Sequence, residues 1–412
     1  MAIKNILFDF VRKYRKLSVV IGSFLFCFIV SEIICRLSYN PASFYTYHPS
    51  LFKTLRPNAR GIYDFEGYAR VRINAQGLRD HEYDYEKKKG VFRIAVLGDS
   101  FTESLPVPLE KTFVKLLEKK LNSGGRETEV INFGCSDYGT AQEYLMWREE
   151  SKKYQPDLVI LAFCTINDIR NNHRAFYQDN RPFFRLQPDG SLAESSEIPS
   201  PGVIRNLKNQ ITGFSYFMHF LASKKMQIVV KYDEYKQGKS DDLFFLRKKL
   251  GGDFLIYSGF EDQTWTEAWT VTKLLIKKIK EESGLCGANF LLVSLTNPGQ
   301  AEYLIPEMEK KLVGAYPAAE NWDFEEPEKI LTAFGRENKI NYLALLPFFK
   351  EHYQKTGRRL HGFQKGSDTG DGIVKHDNYG EGHWNLEGHQ LAAEIIYSYL
   401  TGDSQPLYPG AR

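Results

Sequence analysis

Charge of one sign is what this sequence most conspicuously lacks. Its 54 Lys and Arg face 51 Asp and Glu, leaving a formal net charge of +3 over 412 residues. So even a balance gives no support to nucleic-acid binding, which draws on a basic face. Cysteine is scarce, and the five residues (27, 35, 135, 164 and 286) show no C-x-x-C spacing. That pattern excludes a zinc ribbon and argues against a disulfide framework, so the thiols read as small buried hydrophobes. There is no G-x-G-x-x-G and no G-x-x-x-x-G-K-[ST], which removes the dinucleotide and P-loop readings. Repeats and low-complexity tracts are missing too, and nothing calls for a cofactor.

One long apolar run is present. Leu17 to Val30 is uninterrupted apart from serines and a glycine, and it continues through Ser31–Cys35 to Arg36 with Glu32 as its one charge. At 1.5 Å per residue it is just long enough to span a bilayer. Lys4, Arg12, Lys13, Arg15 and Lys16 precede it against Asp9, so the flank at 1–16 is expected in the cytoplasm and everything after 37 outside. A cleaved signal or a buried helix are the alternatives. No small-x-small cleavage site follows the run, and the expectation is an uncleaved signal anchor over 17–36 in the inner membrane.

Residues 37–90 read as a linker that becomes a cover, with a short strand at Arg70–Ile73 and a turn at Asn74–Gly77. From 91 to 402 the pattern alternates. Strands are expected at 93–97, 129–133, 157–163, 289–295 and 340–345, and helices at 109–122, 140–153, 264–282, 326–338 and 387–400. Short apolar runs between amphipathic helices mean a parallel sheet covered on both faces, an α/β fold. Residues 170–260 interrupt the alternation with a hairpin at Asp189-Gly190 and an amphipathic helix over 203–226. This insertion is either a cap over the sheet's carboxyl edge or a surface subdomain. Residues 403–412 are a tail.

The loops after the first three strands are small and polar: Gly98-Asp99-Ser100, then Asn132-Phe133-Gly134, then Asn167-Asp168. Before the last helix comes a histidine-rich stretch, with His376, Asp377, Glu381, His383 and His389. In a parallel sheet these loops open on one side, where ligand chemistry sits. A serine, a glycine amide, an asparagine side chain and a histidine are the inventory of acyl transfer. The hydroxyl needs a base to become nucleophilic, and the developing oxyanion needs fixed donors.

These four blocks, in this order, resemble the SGNH (GDSL-type) hydrolase superfamily over roughly residues 70–400 without the insertion. The resemblance implies a three-layer α/β/α sandwich with flavodoxin-like strand order 2-1-3-4-5, in a membrane-anchored bacterial protein. It implies Ser100 as nucleophile and His383 as general base and then acid. The oxyanion donors would be the Ser100 amide, the Gly134 amide and the Asn167 side chain. The third triad member is less plain, because the position three before His383 is Gly380. Glu381 is the favoured acid, Asp377 the alternative, and a backbone carbonyl or another acid remains open. Asp99 and Asp168 are expected to be structural, bonding loop amides.

The implied activity is a serine esterase acting on an acylated small molecule or polysaccharide, with O-acetyl groups of envelope carbohydrate as the leading substrate class. The same residues would serve an O-acyltransferase. A non-catalytic scaffold and a long-chain lipase or thioesterase are the remaining readings. His389 is expected to pack or cap, and Trp265 and Trp269, four apart on a helix, to fill the core. No metal is expected, since the histidines lack H-x-x-x-H spacing. Cys135 and Cys164 should be unpaired, because strand one between theirs puts them about 9–10 Å apart at ~4.8 Å per strand.

Overall fold

A computed structural model describes residues 15–38, 44–176, 181–195, 215–218, 220–221, 224–225, 254–257, 263–302, 313–314, 322–402 and 407–408. The chain divides into two compact units, Met1–Ser43 with Ser200–Lys239, and Phe44–Pro199 with Ser240–Arg412. In the first, helix α1 (Arg15–Ser38) carries a 21-residue stretch, Lys16–Arg36, of mean hydropathy 2.4. Its most apolar window is wholly unburied, unlike the helix of a soluble core. By length and composition it can cross a membrane.

The second unit begins with two antiparallel hairpins, β1 (Tyr45–His48) with β2 (Phe52–Leu55), and β3 (Arg60–Tyr63) with β4 (Ala69–Arg72). Then come β5 (Phe92–Gly98), α2 (Ser100–Glu103), α3 (Phe113–Asn122), β6 (Thr128–Gly134), α4 (Thr140–Glu149), β7 (Leu158–Cys164) and α5 (Asn167–Arg170). The hairpin β8 (Phe184–Leu186) and β9 (Leu192–Glu194) turns at Gly190, whose φ of 81° explains the glycine. The chain finishes with α6 (Gln263–Leu285), β10 (Asn289–Leu295), α7 (Pro298–Ala301), α8 (Glu326–Glu337), β11 (Asn341–Ala344), α9 (Leu346–Thr356) and α10 (Leu386–Thr401).

Five strands form one parallel sheet in the order β11-β10-β7-β5-β6. Counted along the sheet from β6, that is 2-1-3-4-5. Every residue of β5 and β7 is buried, which is why these strands read as continuous apolar runs rather than alternating ones. Their side chains still sort by period two. Ala95, Leu97, Val159 and Leu161 meet Tyr144, Trp147, Trp265 and Trp269 of α4 and α6 in one core. Ile94, Val96, Ile160 and Ala162 meet Phe113, Leu117, Ala393 and Ile396 of α3 and α10 in the other. Three layers result, helices on both faces of the sheet.

The expected strands agree with the observed ones to within a residue or two. Helix α9 was not expected. Its first residues, Leu346-Pro347-Phe348-Phe349, extend the apolar run of β11, and Pro347 in its first turn marks the start that the run conceals. Most of the helix expected at 203–226, the basic flank at 1–14 and most of the 170–260 insertion lie outside the described residues; of that helix, 215–218, 220–221 and 224–225 are described.

Candidate active site

Strand β5 delivers its last residue, Gly98, to the carboxyl edge directly beside Gly134 of β6. Both glycines are required by one close approach. A Cβ on Gly98 would stand 2.2 Å from Thr102 Oγ1, and one on Gly134 would stand 2.5 Å from the Glu103 amide. The α2 turn therefore lies on a floor of two side-chain-free positions. Asp99 caps that turn, accepting the Phe101 amide at 2.9 Å through Oδ1 and the Asn167 side chain at 2.8 Å through Oδ2. It is fully buried, and burial raises its pKa. Asp168 is buried likewise and accepts the Cys164 amide at 2.7 Å.

Ser100, the first residue of α2, meets His383 at 2.8 Å, Oγ to Nε2. The histidine comes from the loop before α10, whose backbone pairs with residues 360–362: the Gly362 amide donates to His383 O at 2.8 Å and the Asn385 amide to Leu360 O at 2.9 Å. That partner segment is fixed from beneath by buried Glu302, whose Oε1 accepts the Leu360 and His361 amides at 2.7 and 3.1 Å. The same oxygen lies 2.6 Å from His361 Nδ1. Trp384 next to the histidine is fully buried and donates to Thr296 Oγ1 at 3.1 Å, while Phe101 lies against the His383 ring, 4.9 Å between centroids. The imidazole is thus held on three sides.

The acid on its far nitrogen corrects the sequence reading. Nδ1 lies 2.8 Å from Glu66 Oε2, which also accepts the His383 amide at 3.1 Å. One ring nitrogen has one hydrogen to give, and Glu66 receives it, so neither Glu381 nor Asp377 is the partner. Asp377 is exposed and accepts the Tyr379 amide at 3.2 Å. Glu381 stands between Gly380 and Gly382, both at positive φ (85° and 73°). The second of these glycines explains the exchange, since a Cβ there would lie 2.8 Å from Glu66 Oε2. The chain just before the histidine is kept bare so that a carboxylate from elsewhere can reach the ring.

Glu66 sits in the bend between β3 and β4, 317 residues from His383. The bend is seated by Arg70, whose amide donates to Asp371 at 2.8 Å, and by Gly372 packed against the Tyr68 ring. A second residue of the same cover segment supports the turn that carries Ser100. Arg79, buried, donates to the carbonyls of Glu103, Ser104 and Val107 at 2.8, 2.5 and 2.5 Å. It thereby fills the carboxyl-terminal carbonyls of the turn that Ser100 begins. Glu66 and Arg79 were both missed by sequence reasoning, which took 37–90 as linker and cover.

Electrostatics follow the geometry. Burial pulls the His383 pKa down, but the Glu66 charge and hydrogen bond, with Asp99 and Glu103 behind, outweigh it and raise it to about 9. Burial pushes Glu66 up, and the facing imidazole with its hydrogen bond, joined by the bond from the His383 backbone amide, more than reverses that, holding Glu66 below the ordinary carboxylate range. The expected oxyanion donors are differently disposed. The Ser100 amide lies in the first turn of α2, where helical amides have no intrahelical partner. Asn167 keeps one of its two amide hydrogens on Asp99. The Gly134 amide, by contrast, donates to Asn132 Oδ1 at 2.9 Å, so as placed it serves the loop.

His389 is a cap, accepting the Phe113 amide at 3.2 Å and stacking on that ring at 5°. Trp265 and Trp269 are buried in the core. Cys135 and Cys164 are free and buried, and β5 does lie between β6 and β7. Among the described residues, no group of three or more His, Cys, Asp or Glu could hold a metal.

No family model matches the chain, and no curated protein matches it. Solved structures do. The chain is similar to an acetyl xylan esterase from Geobacillus stearothermophilus (11% identity, TM-score 0.36, covering 74% of this chain and 92% of that one). It is also similar to TesA (14%, 0.35, 77% and 99%) and to a GDSL-like lipase from Bacteroides thetaiotaomicron VPI-5482 (13%, 0.31, 77% and 91%). Likeness at this level carries no argument about chemistry, which rests below on the site itself.

Proposed function

We propose that this chain is a serine esterase in which Ser100, His383 and Glu66 act as one unit. The observation that carries the reading is the unbroken line of contacts, 2.8 Å from Ser100 Oγ to the ring and 2.8 Å from the ring to a carboxylate. A scaffold protein has no use for a hydroxyl aligned on an imidazole that is itself oriented by an acid. Neutral His383 takes the Ser100 proton as Oγ bonds to the ester carbonyl carbon, and the carbonyl π pair moves onto oxygen. That oxyanion is received by the Ser100 amide and the second Asn167 N–H, each such donor being worth roughly 10²–10³ in rate. His383 then gives its proton to the departing alkoxide, leaving acyl-Ser100, and a water activated by the same ring releases the acid. Glu66 holds the tautomer and the imidazolium throughout without itself taking the proton.

The substrate class we assign is O-acetyl esters of cell-envelope carbohydrate. The block pattern supports this, as does the apolar helix with its preceding basic flank, which favours an extracytoplasmic domain. Were a sugar hydroxyl to replace water in the second half, the same residues would catalyse O-acetyl transfer. Full-length protein in detergent should hydrolyse p-nitrophenyl acetate, and Ser100→Ala should lose the activity to background while keeping its circular-dichroism spectrum. Wild-type protein inert towards every short-chain ester would overturn the proposal. Acetate release from O-acetylated glycan, with and without an added acceptor, sorts hydrolysis from transfer.

A further inference from the structure

Helix α1 carries one acid within its apolar stretch, Glu32, and the structure gives it four donors. Arg36 Nε lies 2.8 Å away, Ser215 Oγ 2.8 Å, and the Tyr216 and Phe217 amides 3.1 and 3.0 Å. Three of the four come from the insertion, far along the chain but within the same compact unit. Ring contacts reinforce them. Phe217 meets Phe28 edge-on at 5.8 Å, and the Arg36 guanidinium lies 4.7 Å over Tyr216.

The depth of Glu32 can be reckoned from the helix. The stretch Lys16–Arg36 centres on Phe26, so Glu32 lies about 9 Å beyond the midpoint at 1.5 Å per residue. The hydrocarbon half-thickness is about 15 Å. A lone acid at the helix centre costs about 2.5–3.5 kcal/mol on insertion scales and is retained only when partnered. Its partners must therefore share its depth, and hydrogen bonds of about 3 Å allow little difference. The residues after them suit that place: Phe217, Met218, Phe220 and Leu221 are apolar, Leu221 is exposed, and the exposed Lys224 and Lys225 follow. A largely apolar, aromatic sequence, interrupted by His219 and Ser223 and ending in lysines, is the composition of a segment lying in the headgroup boundary.

We propose that Ser215–Met218, with Phe220, Leu221, Lys224 and Lys225, enter the outer leaflet beside α1, pinned by Glu32, so that the chain is bound to the bilayer at two places. The occupant of the exposed Leu221 face is lipid. This rests on α1 spanning the membrane and not on the esterase reading.

The test uses full-length protein in phosphatidylcholine–phosphatidylglycerol nanodiscs, with the exposed thiols removed (Cys27→Ala, Cys286→Ser) and an environment-sensitive fluorophore on Leu221→Cys. Emission should be blue-shifted and quenched by lipid brominated near the headgroup, about threefold more than for the same label on Ser191→Cys in the β8–β9 turn. Glu32→Leu should bring that quenching down to the Ser191 level while the chain stays in carbonate-washed membranes, and Glu32→Gln, which keeps one acceptor, should fall between. A parent label quenched by aqueous iodide and not by lipid overturns the proposal. So does quenching unchanged by Glu32→Leu. Wild-type protein released by carbonate refutes the spanning helix and the proposal with it, and leaves the esterase untouched.

Discussion

The carboxyl edge of the sheet and the hairpin segment before it build the same site by opposite means. At the sheet edge, Ser100, Gly134 and Asn167 each sit within a few residues of a buried strand, so the parallel register alone brings them together. In the hairpin segment, Glu66 and Arg79 have no such frame. Glu66 reaches the site in the bend between two short antiparallel strands by bonding His383, and Arg79 reaches it from the segment after β4 by bonding carbonyls of the Ser100 turn. In the proposed reaction the edge supplies the reacting groups, and the segment before it supplies what orients and steadies them. A fold can thus keep its reaction in the sheet and its control of tautomer and geometry in an appendage.

The sharpest way to break that comparison is to remove the appendage's acid. Glu66→Gln should lower kcat by up to about 10⁴-fold, the loss expected when a triad histidine takes the wrong tautomer. Glu381→Gln and Asp377→Asn should stay within about threefold in the same p-nitrophenyl acetate assay. Equal losses from Glu381→Gln would return the acid to the histidine loop.

The pH profile sharpens it further. His383 must be neutral to accept a proton, and its pKa is raised to about 9. The kcat/KM of the wild type should therefore climb through neutrality and level off only above about 9. Glu66→Gln should shift that rise down by about 1–3 pH units, since the raising charge is gone. Stability follows the same shifts. The histidine's contribution is complete below its unfolded value of 6.5 and is lost as pH rises through about 9. The Glu66 contribution is present above 4.5 and is lost as pH falls through its depressed value.

Arg79→Met tests the steadying half alone. It leaves carbonyls of the nucleophile turn without their donor, so urea denaturation should show a loss of about 2–4 kcal/mol. A further effect, read as a slope against pH, lies in the core beneath. Burial drives the His389 pKa down to about 3, with the charges of Arg79, His383 and His361 adding to it. The folded protein therefore loses stability as pH falls from 6.5 towards 3, by up to about 1.4 kcal/mol per pH unit from this one group. His389→Asn, which keeps an acceptor for Phe113, should flatten that slope.

What the sequence disclosed divides along the same line. The strands were legible because burial on both faces writes them as plain apolar runs, and Ser100, Asn167 and His383 because each lies at the end of such a run or before a capped helix. Asn385 shows that cap directly, accepting the Glu387 and Gly388 amides. Glu66 was not legible, since an acid in a hairpin bend looks like any solvated turn residue. A trace of it existed in Gly382, a glycine at positive φ immediately before the histidine, which marks a place left open for something to approach. Reading that gap from sequence requires knowing what fills it.

The separation of 317 residues between Glu66 and His383 has a consequence for how activity is acquired. The acid leaves the ribosome 317 residues before the imidazole, so a nascent chain can complete β5, β6 and β7 before the proposed triad can assemble. Contacts that close the longest loops form late, because chain entropy opposes them until local structure has shortened the search. Regained turnover should consequently trail regained secondary structure during refolding, making catalysis a clock for the final step of assembly.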